Sequence, residues 1–165
     1  PSDSRSLAPP GPRRQSPHFV SVELRDGSNA PASVFGMGES IKVVLDICAP
    51  PGISQPWIGI QIRTEHRELV SHIANREAGC DLPSLQGQQR ITCSISAPNL
   101  QEGIYQFDLI LADALNHIYH QIENACRLEI RSVDVFGTGM PMGRGYGACF
   151  LNSQWKNDES PQTAK

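Results

Sequence analysis

Residues 100–112 alternate regularly between two kinds of side chain. One set of positions is apolar and the other set is mostly polar: Tyr105, Phe107, Leu109 and Leu111 against Gln106, Asp108 and Ile110. Successive side chains of a β-strand point to opposite faces of a sheet, whereas a helix would scatter the same residues around its axis. The pattern therefore predicts a central β-strand with one buried face.

A tyrosine lies just inside this strand. Leu100 to Tyr105 has the spacing of a tyrosine corner. In that motif, a Tyr near the start of strand F of an immunoglobulin-like sandwich bonds its hydroxyl to the backbone a few residues upstream. We therefore assign residues 100–112 as strand F and expect the Tyr105 hydroxyl to make this bond.

Five further segments alternate in the same way and are separated by turn residues. They span residues 19–25, 41–48, 57–64, 90–96 and 123–133. Their predicted inward side chains are Val20, Val22 and Leu24; Ile41, Val43, Leu45 and Ile47; Ile58, Ile60 and Ile62; Ile91, Cys93 and Ile95; and Cys126, Leu128 and Ile130. Pro50-Pro51-Gly52 is expected to end the second segment, because proline has no backbone donor. With a short strand and a long loop expected within residues 65–87, the chain is predicted to be an all-β, immunoglobulin-like antiparallel sandwich of seven strands.

The ends of the chain have a different composition from its middle. Residues 1–17 are rich in Ser, Pro and Arg and nearly free of apolar side chains, which predicts a disordered linker joined to something upstream. A chain of 165 residues suits one domain with a substantial core. We therefore expect one β-sandwich domain at residues 18–156 and a disordered tail at residues 157–165.

Residues 145–155 form a short apolar segment beyond the needs of the sandwich, after a glycine-rich hinge at residues 134–139. Such an extra strand requires a partner. It either folds back on its own sheet or crosses to a second copy of the chain, because a long hinge permits strand exchange between protomers.

Composition and charge exclude several classes of function. The net charge of -3 and the pI near 5.9 provide no field that would attract nucleic acid, and no apolar run is long enough for a membrane helix. The cysteines are odd in number and lack CxxC spacing, which argues for reduced thiols and against a disulfide framework or a zinc site: Cys48, Cys80, Cys93, Cys126 and Cys149. No cofactor is expected.

Catalytic and metal-binding patterns are also missing from the sequence. His117 and His120 are three residues apart without a third ligand, and no GxSxG elbow or GxxxxGK[ST] phosphate loop occurs. A glycosidase needs a protonated carboxylic acid, but Asp108 and Glu129 both lie beside arginines that would keep them ionised. We do not expect an enzyme.

The outward face of the third, sixth and seventh strands carries a mixture suited to sugars. If these strands are neighbours, one surface collects an aromatic ring, amides, carboxylates and guanidinium groups: Trp57, Gln61, Arg63, Gln106, Asp108, Arg127, Glu129 and Arg131. Sugars present hydroxyl groups in planes and apolar C–H faces, which such groups bind. The alternative is a solvated sheet face of compensating charges.

Several short pieces, in this order, resemble a Wzt C-terminal domain. They are Gly38-Glu39-Ser40-Ile41, the run from Leu100 to Tyr105, the run from Glu123 to Ile130, residues 134–139, and the closing Trp155. Proteins of that family are nucleotide-binding subunits of ABC transporters that export lipid-linked O-antigen polysaccharide, and their C-terminal domains resemble carbohydrate-binding modules. The aromatic content of 6% is low for a pocket built on ring stacking.

The resemblance implies a function, a location and partners. It implies non-catalytic recognition of lipid-linked O-polysaccharide for export, by an immunoglobulin-like domain that dimerises by exchanging its last strand. The implied partners are the glycan, a second copy of the chain and the membrane subunit of the transporter, at the cytoplasmic face of a bacterial inner membrane. The alternative is a dimerisation or adaptor module that binds no glycan.

Overall fold

The computed structural model describes residues 5–6, 16–142 and 147–155. Most of the predicted tails, 1–17 and 157–165, lies outside these ranges. Within them the chain forms nine strands: β1 (Arg5–Ser6), β2 (His18–Arg25), β3 (Val34–Gly36), β4 (Ile41–Ile53), β5 (Pro56–Thr64), β6 (Leu69–Ala74), β7 (Leu85–Ile95), β8 (Gly103–Asp113) and β9 (Ile118–Arg131). No helix in the described ranges is long and apolar enough to cross a membrane.

The strands form two sheets. One has the order β1-β2-β4-β7 and the other the order β3-β9-β8-β5-β6. All neighbours are antiparallel except β3 and β9, which run parallel. The predicted third, sixth and seventh strands are β5, β8 and β9, and they lie side by side as expected. The prediction of an all-β immunoglobulin-like sandwich is confirmed.

The core lies between the two sheets and follows the predicted alternation in most strands. In β8, Phe107, Leu109 and Leu111 are fully buried and Tyr105 nearly so. The largest side chains that lose all contact with solvent are Phe19, Phe35, Phe107, Ile41, Leu45, Ile47, Ile53, Ile60, Leu85, Leu109, Leu111 and Leu128. Burial of this apolar surface is the main stabilising contribution to the fold.

Two details of the strand predictions are wrong. In β2 the register shifts between Phe19 and Ser21, so Phe19 is buried in place of the predicted Val20. Strand β4 does not end at Pro50 but continues to Ile53. The two prolines lie in an irregularity between Ala49 and Ile53, where the ladder requires no hydrogen bond from them.

The tyrosine corner is present. The Tyr105 hydroxyl lies 2.9 Å from the carbonyl oxygen of Gln101 and 3.1 Å from that of Ala148. Because one hydroxyl carries one proton, it donates to one of these carbonyls at a time. The Tyr105 hydroxyl therefore fixes the start of β8 and also contacts the C-terminal segment at Ala148.

That closing segment folds back on its own chain. The backbone N–H of Phe150 donates to the Asn99 carbonyl at 2.9 Å, and Leu100 forms an isolated antiparallel bridge with Cys149. The Phe150 side chain is 4% exposed and packs edge-on against Phe136. The predicted strand at residues 145–155 is thus a single bridge within the described residues 147–155, and its exchange between protomers stays a prediction.

Candidate functional site

The register of β5, β8 and β9 brings five of the eight predicted site residues together. Arg63, Gln106 and Arg127 occupy directly opposed positions on the three strands. In the adjacent row Gln61 of β5 faces Asp108 of β8. These residues lie on the outward face of the sheet, as their parity predicts.

Asp108 is the centre of this cluster. Its side chain is only 3% exposed, although it points away from the core between the sheets. It accepts hydrogen bonds from Arg63 Nε at 2.8 Å, from Arg67 Nη1 and Nη2 at 2.8 and 2.7 Å, and from the backbone N–H of Asn124 at 2.8 Å. Burial alone would raise the pKa of Asp108, but the bonds from Arg67, Asn124 and Arg63 outweigh it and lower the pKa below its ordinary value. The carboxylate is therefore ionised and fully partnered.

Two local departures from regular strand structure complete the cluster. Residues Glu123 to Ala125 form an insertion in β9, between the pairs Leu109↔Ile122 and Phe107↔Cys126, where Asn124 has a φ of 50°. This bulge aims the Asn124 N–H at Asp108. Arg67 belongs to the turn between β5 and β6, with a φ of 68°, and its guanidinium reaches across β5 to β8.

Arg67 was missed in the sequence analysis. It lies outside every alternating segment, so strand parity assigns it to no face. The available signal was Asp108 itself, because a carboxylate flanked by Phe107, Leu109 and Ile110 requires cationic partners when it is buried. That reasoning predicts a second arginine without saying which one.

Arg63 uses all of its nitrogen atoms inside the protein. Besides its bond to Asp108, Nη1 donates to the Arg67 carbonyl at 3.0 Å and Nη2 donates to Gln61 Oε1 at 2.7 Å. Arg67 Nη1 also donates to Gln106 Oε1 at 3.1 Å. Arg63 and Asp108 therefore hold the cluster together.

Three predicted residues of this cluster carry a side-chain nitrogen that bonds to no described atom, and we call Gln61, Gln106 and Arg127 the donor patch. A guanidinium group only donates hydrogen bonds, so the amide oxygens of Gln61 and Gln106 must face the arginines and their amide nitrogens must face away. Neither nitrogen bonds to the described part of the chain. Arg127 is exposed and has no hydrogen-bond or ion-pair partner among the described residues. The patch thus presents N–H donors to solvent.

Trp57 lies apart from the donor patch, at the opposite end of β5. Its ring stacks on His72 of β6 with ring centres 5.6 Å apart and planes 25° apart. Its Nε1 donates to both carboxylate oxygens of Glu77, at 3.1 and 3.0 Å. His72 and Glu77 are the second group of residues that the sequence analysis missed.

Glu129 and Arg131 lie at the other extreme of the face. They pair with each other at 3.0 Å, next to β3 at the edge of the sheet. Neither is joined to the cluster around Asp108 by a contact in the described residues. His117 and His120 are separated as well: His117 packs on Tyr119, whereas His120 Nδ1 accepts the backbone N–H of Phe19. The described residues include no group of three or more potential metal ligands.

Comparison with known proteins identifies the family. The Wzt C-terminal domain family matches residues 17–141. This chain belongs to the Wzt C-terminal domain family. The crystal structure of the C-terminal domain of a Wzt protein superimposes with a TM-score of 0.71 and 10% identity, covering 87% of this chain and 84% of that one. At this identity the superposition supports the fold alone.

Other comparisons add little. A CARDB domain from Pyrococcus furiosus, solved in complex with di-metal ions, reaches a TM-score of only 0.39 at 16% identity, covering 70% of this chain and 94% of that one. No curated protein matches the sequence significantly. The Wzt family is linked to O-antigen ABC transporters, and its C-terminal domain is non-catalytic. This context agrees with the resemblance found in the sequence.

Proposed function

We propose that this domain recognises O-polysaccharide without catalysing a reaction on it, and that it does so at the donor patch. The observation that carries the proposal is the direction of the two amides. Arg63 and Arg67 occupy the amide oxygens of Gln61 and Gln106 and leave their N–H groups facing solvent beside Arg127. Such a surface complements a ligand rich in hydrogen-bond acceptors, as the hydroxyl and ring oxygens of a glycan are.

The cluster around Asp108 supports this role by fixing the geometry of the patch. Gln61 and Gln106 are each tied to an arginine that is itself tied to Asp108. Side chains that are ordered before binding lose less conformational entropy when the ligand arrives. Asp108 and Arg63 thereby act as positioning residues, while Gln61, Gln106 and Arg127 meet the glycan.

The family supplies the context of the proposal. The glycan would be lipid-linked O-polysaccharide presented to an ABC transporter, with the binding domain at residues 18–156 of this chain. Its further partners would be the membrane subunit of that transporter and a second copy of the domain, at the cytoplasmic face of the inner membrane.

A dimerisation or adaptor module is the second candidate. The observation in its favour is the closing segment, where Leu151 is 75% exposed and Trp155 is 95% exposed directly after the buried Phe150. If residues 147–155 exchange between two copies, a chain truncated after Val135 should change from a dimer to a monomer or an aggregate in sedimentation. A full-length chain that is monomeric at tens of micromolar would contradict the exchange.

Calorimetric titration tests the glycan proposal. The probe is the polysaccharide released from the lipopolysaccharide of the bacterium that encodes this chain, with an unrelated glycan as control. Arg127→Ala should weaken binding about tenfold or more, because it removes charge-assisted hydrogen bonds. Arg131→Ala, which removes another exposed arginine of the same strand, should leave binding unchanged. Equal affinities of the parent and Arg127→Ala would refute the donor patch.

Salt dependence provides a second readout in the same titration. A neutral polysaccharide releases few counterions on binding, so its affinity should change little between low and high salt. A steep dependence would instead show that an acidic group of the probe is recognised.

A further inference from the structure

The indole of Trp57 packs closely on its own strand, and one glycine makes this possible. A Cβ atom placed on Gly59 would lie 2.5 Å from Trp57 Cη2 and 2.7 Å from Cζ3, and it would also touch His72 at 3.4 Å. Two residues along a strand lie on the same face, so Gly59 is the position that meets the outer edge of the indole. Only a residue without a side chain lets the indole settle there.

The ring pair is accessible from solvent. Trp57 is half-buried, whereas His72 and Glu77 are exposed. Because the indole N–H already donates to Glu77, the ring offers a ligand its apolar surface and no donor. Glu77 retains acceptor sites on its two oxygens after it accepts that N–H, so a hydroxyl group beside the ring has a partner.

We infer that Trp57 and His72, held by Gly59 and Glu77, form an aromatic subsite that stacks on the C–H face of a neutral pyranose. The inference rests on the proposed function and extends it to the size of the ligand. Along the strand, Trp57 lies four residues from Gln61 of the donor patch and six residues from the level of Gln106 and Arg127, distances of about 13 and about 20 Å. A glycan that touches both this subsite and the donor patch is therefore an extended oligosaccharide of several sugars and not a single terminal residue.

Alternatives to a binding role explain the arrangement less well. A tryptophan that served only to cover the sheet would gain by burial against the core, but Trp57 lies on the outward face. A hydrogen bond to an exposed Glu contributes little to stability, since water replaces it. A solvent-accessible pair of aromatic rings with a hydroxyl acceptor beside it is, in contrast, the chemistry that a sugar face requires.

Tryptophan fluorescence provides a direct test, because the chain contains 2 Trp residues. In a Trp155→Phe background Trp57 is the sole emitter, and the probe is the released polysaccharide together with fragments of increasing length. We expect the emission of Trp57 to change on binding. We also expect affinity to rise in a step once the fragment is long enough to span about 20 Å.

Gly59→Ala is the decisive variant, since its methyl group displaces the ring and leaves the donor patch intact. It should lower affinity about tenfold and abolish the emission change, with an unchanged melting temperature as the folding check. Trp57→Ala, assayed by calorimetry, should show the same loss of affinity and covers the case in which Gly59→Ala does not fold. The donor-patch variant Arg127→Ala should bind more weakly but retain the emission change at saturation.

The outcomes separate this inference from the proposed function. If the parent binds the polysaccharide while Gly59→Ala and Trp57→Ala bind equally well, the aromatic subsite is refuted and the donor patch stands. If a monosaccharide binds as tightly as the longest fragment, the extended site is refuted. If the parent binds no polysaccharide, both the proposed function and this inference fail.

Discussion

Asp108 shows at the residue scale why an outward position is not always a solvated one. Its carboxylate neutralises part of the charge of Arg63 and Arg67, and these arginines in turn orient Gln61 and Gln106. Removing one member of a buried ion cluster leaves the charges of the others uncompensated and lowers the free energy of unfolding. This loss is larger than the stability that the intact ion pair contributes relative to an apolar pair of similar size. The residue is therefore structural first and affects binding through its neighbours.

Asp108→Asn should lower the free energy of unfolding by about 3 kcal/mol, because two partly buried guanidinium groups lose their counter-charge. Asp46→Asn is the matched control. Asp46 also binds an arginine, Arg90, but on a more exposed surface, with a side-chain exposure of 34%. It should cost less than about 1 kcal/mol. Urea denaturation at pH 7 measures both, and equal costs would contradict the special role of Asp108.

The direction in which the pKa of Asp108 is shifted predicts how the stability difference between the parent and Asp108→Asn depends on pH. Burial opposes ionisation of Asp108, yet the bonds from Arg67, Asn124 and Arg63 leave its folded pKa below the unfolded value. Its contribution to stability is thus complete above the unfolded pKa, about 3.9, and is lost as pH falls through the folded pKa. The stability difference between parent and Asp108→Asn should be constant near neutral pH and shrink below about pH 4. A difference that grows on acidification would contradict the shift.

Tyr105→Phe tests the tyrosine corner. The hydroxyl is buried and lies 2.9 Å from the Gln101 carbonyl and 3.1 Å from the Ala148 carbonyl, so its loss should cost about 1 kcal/mol and remove a donor from these two acceptors. The denaturant midpoint reports the change. Tyr119→Phe serves for comparison, because its hydroxyl bonds to Asp113 in a solvent-accessible hairpin and should matter less. An unchanged midpoint for Tyr105→Phe would argue against a corner.

At the scale of elements, the accuracy of the sequence analysis depends on the regularity of each strand. In β5 and β8 the two-residue period is unbroken along the predicted segments, so the prediction that Ile58, Ile60 and Phe107 point into the core is correct. In β9 the insertion at Glu123 to Ala125 interrupts the alternation locally, and Ala125 is fully buried where no prediction placed it. Arg67, His72 and Glu77 come from turns or from an edge strand with a weak pattern. Such positions depend on tertiary contacts, which periodicity does not encode.

The closing segment supplies the prediction at this scale. Phe150→Ala should destabilise the domain by about 3 kcal/mol, because it removes a side chain that is 4% exposed and packs on Phe136. Leu151→Ala is the adjacent control and should change stability by less than about 0.5 kcal/mol, since Leu151 is 75% exposed. Thermal unfolding of the two variants compares them directly. If both had the same midpoint as the parent, the segment would not be part of the fold.

At the scale of the whole molecule, the two sheets have different outward faces. The outward face of β5, β8 and β9 carries the donor patch and, with β6, the aromatic subsite. The outward face of β2, β4 and β7 carries the exposed pair of Asp46 and Arg90, whose charges compensate each other. The core between the sheets supports the strands β5, β8 and β9, and the hydrogen bonds around Asp108 fix the side chains on their outward face. Glycan recognition is accordingly expected on one sheet only.

Amide NMR of the full chain during titration with the released polysaccharide tests this account most directly. We predict chemical-shift changes at Gln61, Gln106, Arg127 and their neighbours in β5, β8 and β9, and none along β2, β4 and β7. An unrelated glycan should cause no change on either sheet. Shifts confined to β2, β4 and β7, or no shifts at all with the cognate polysaccharide, would contradict the proposal that this face binds O-polysaccharide.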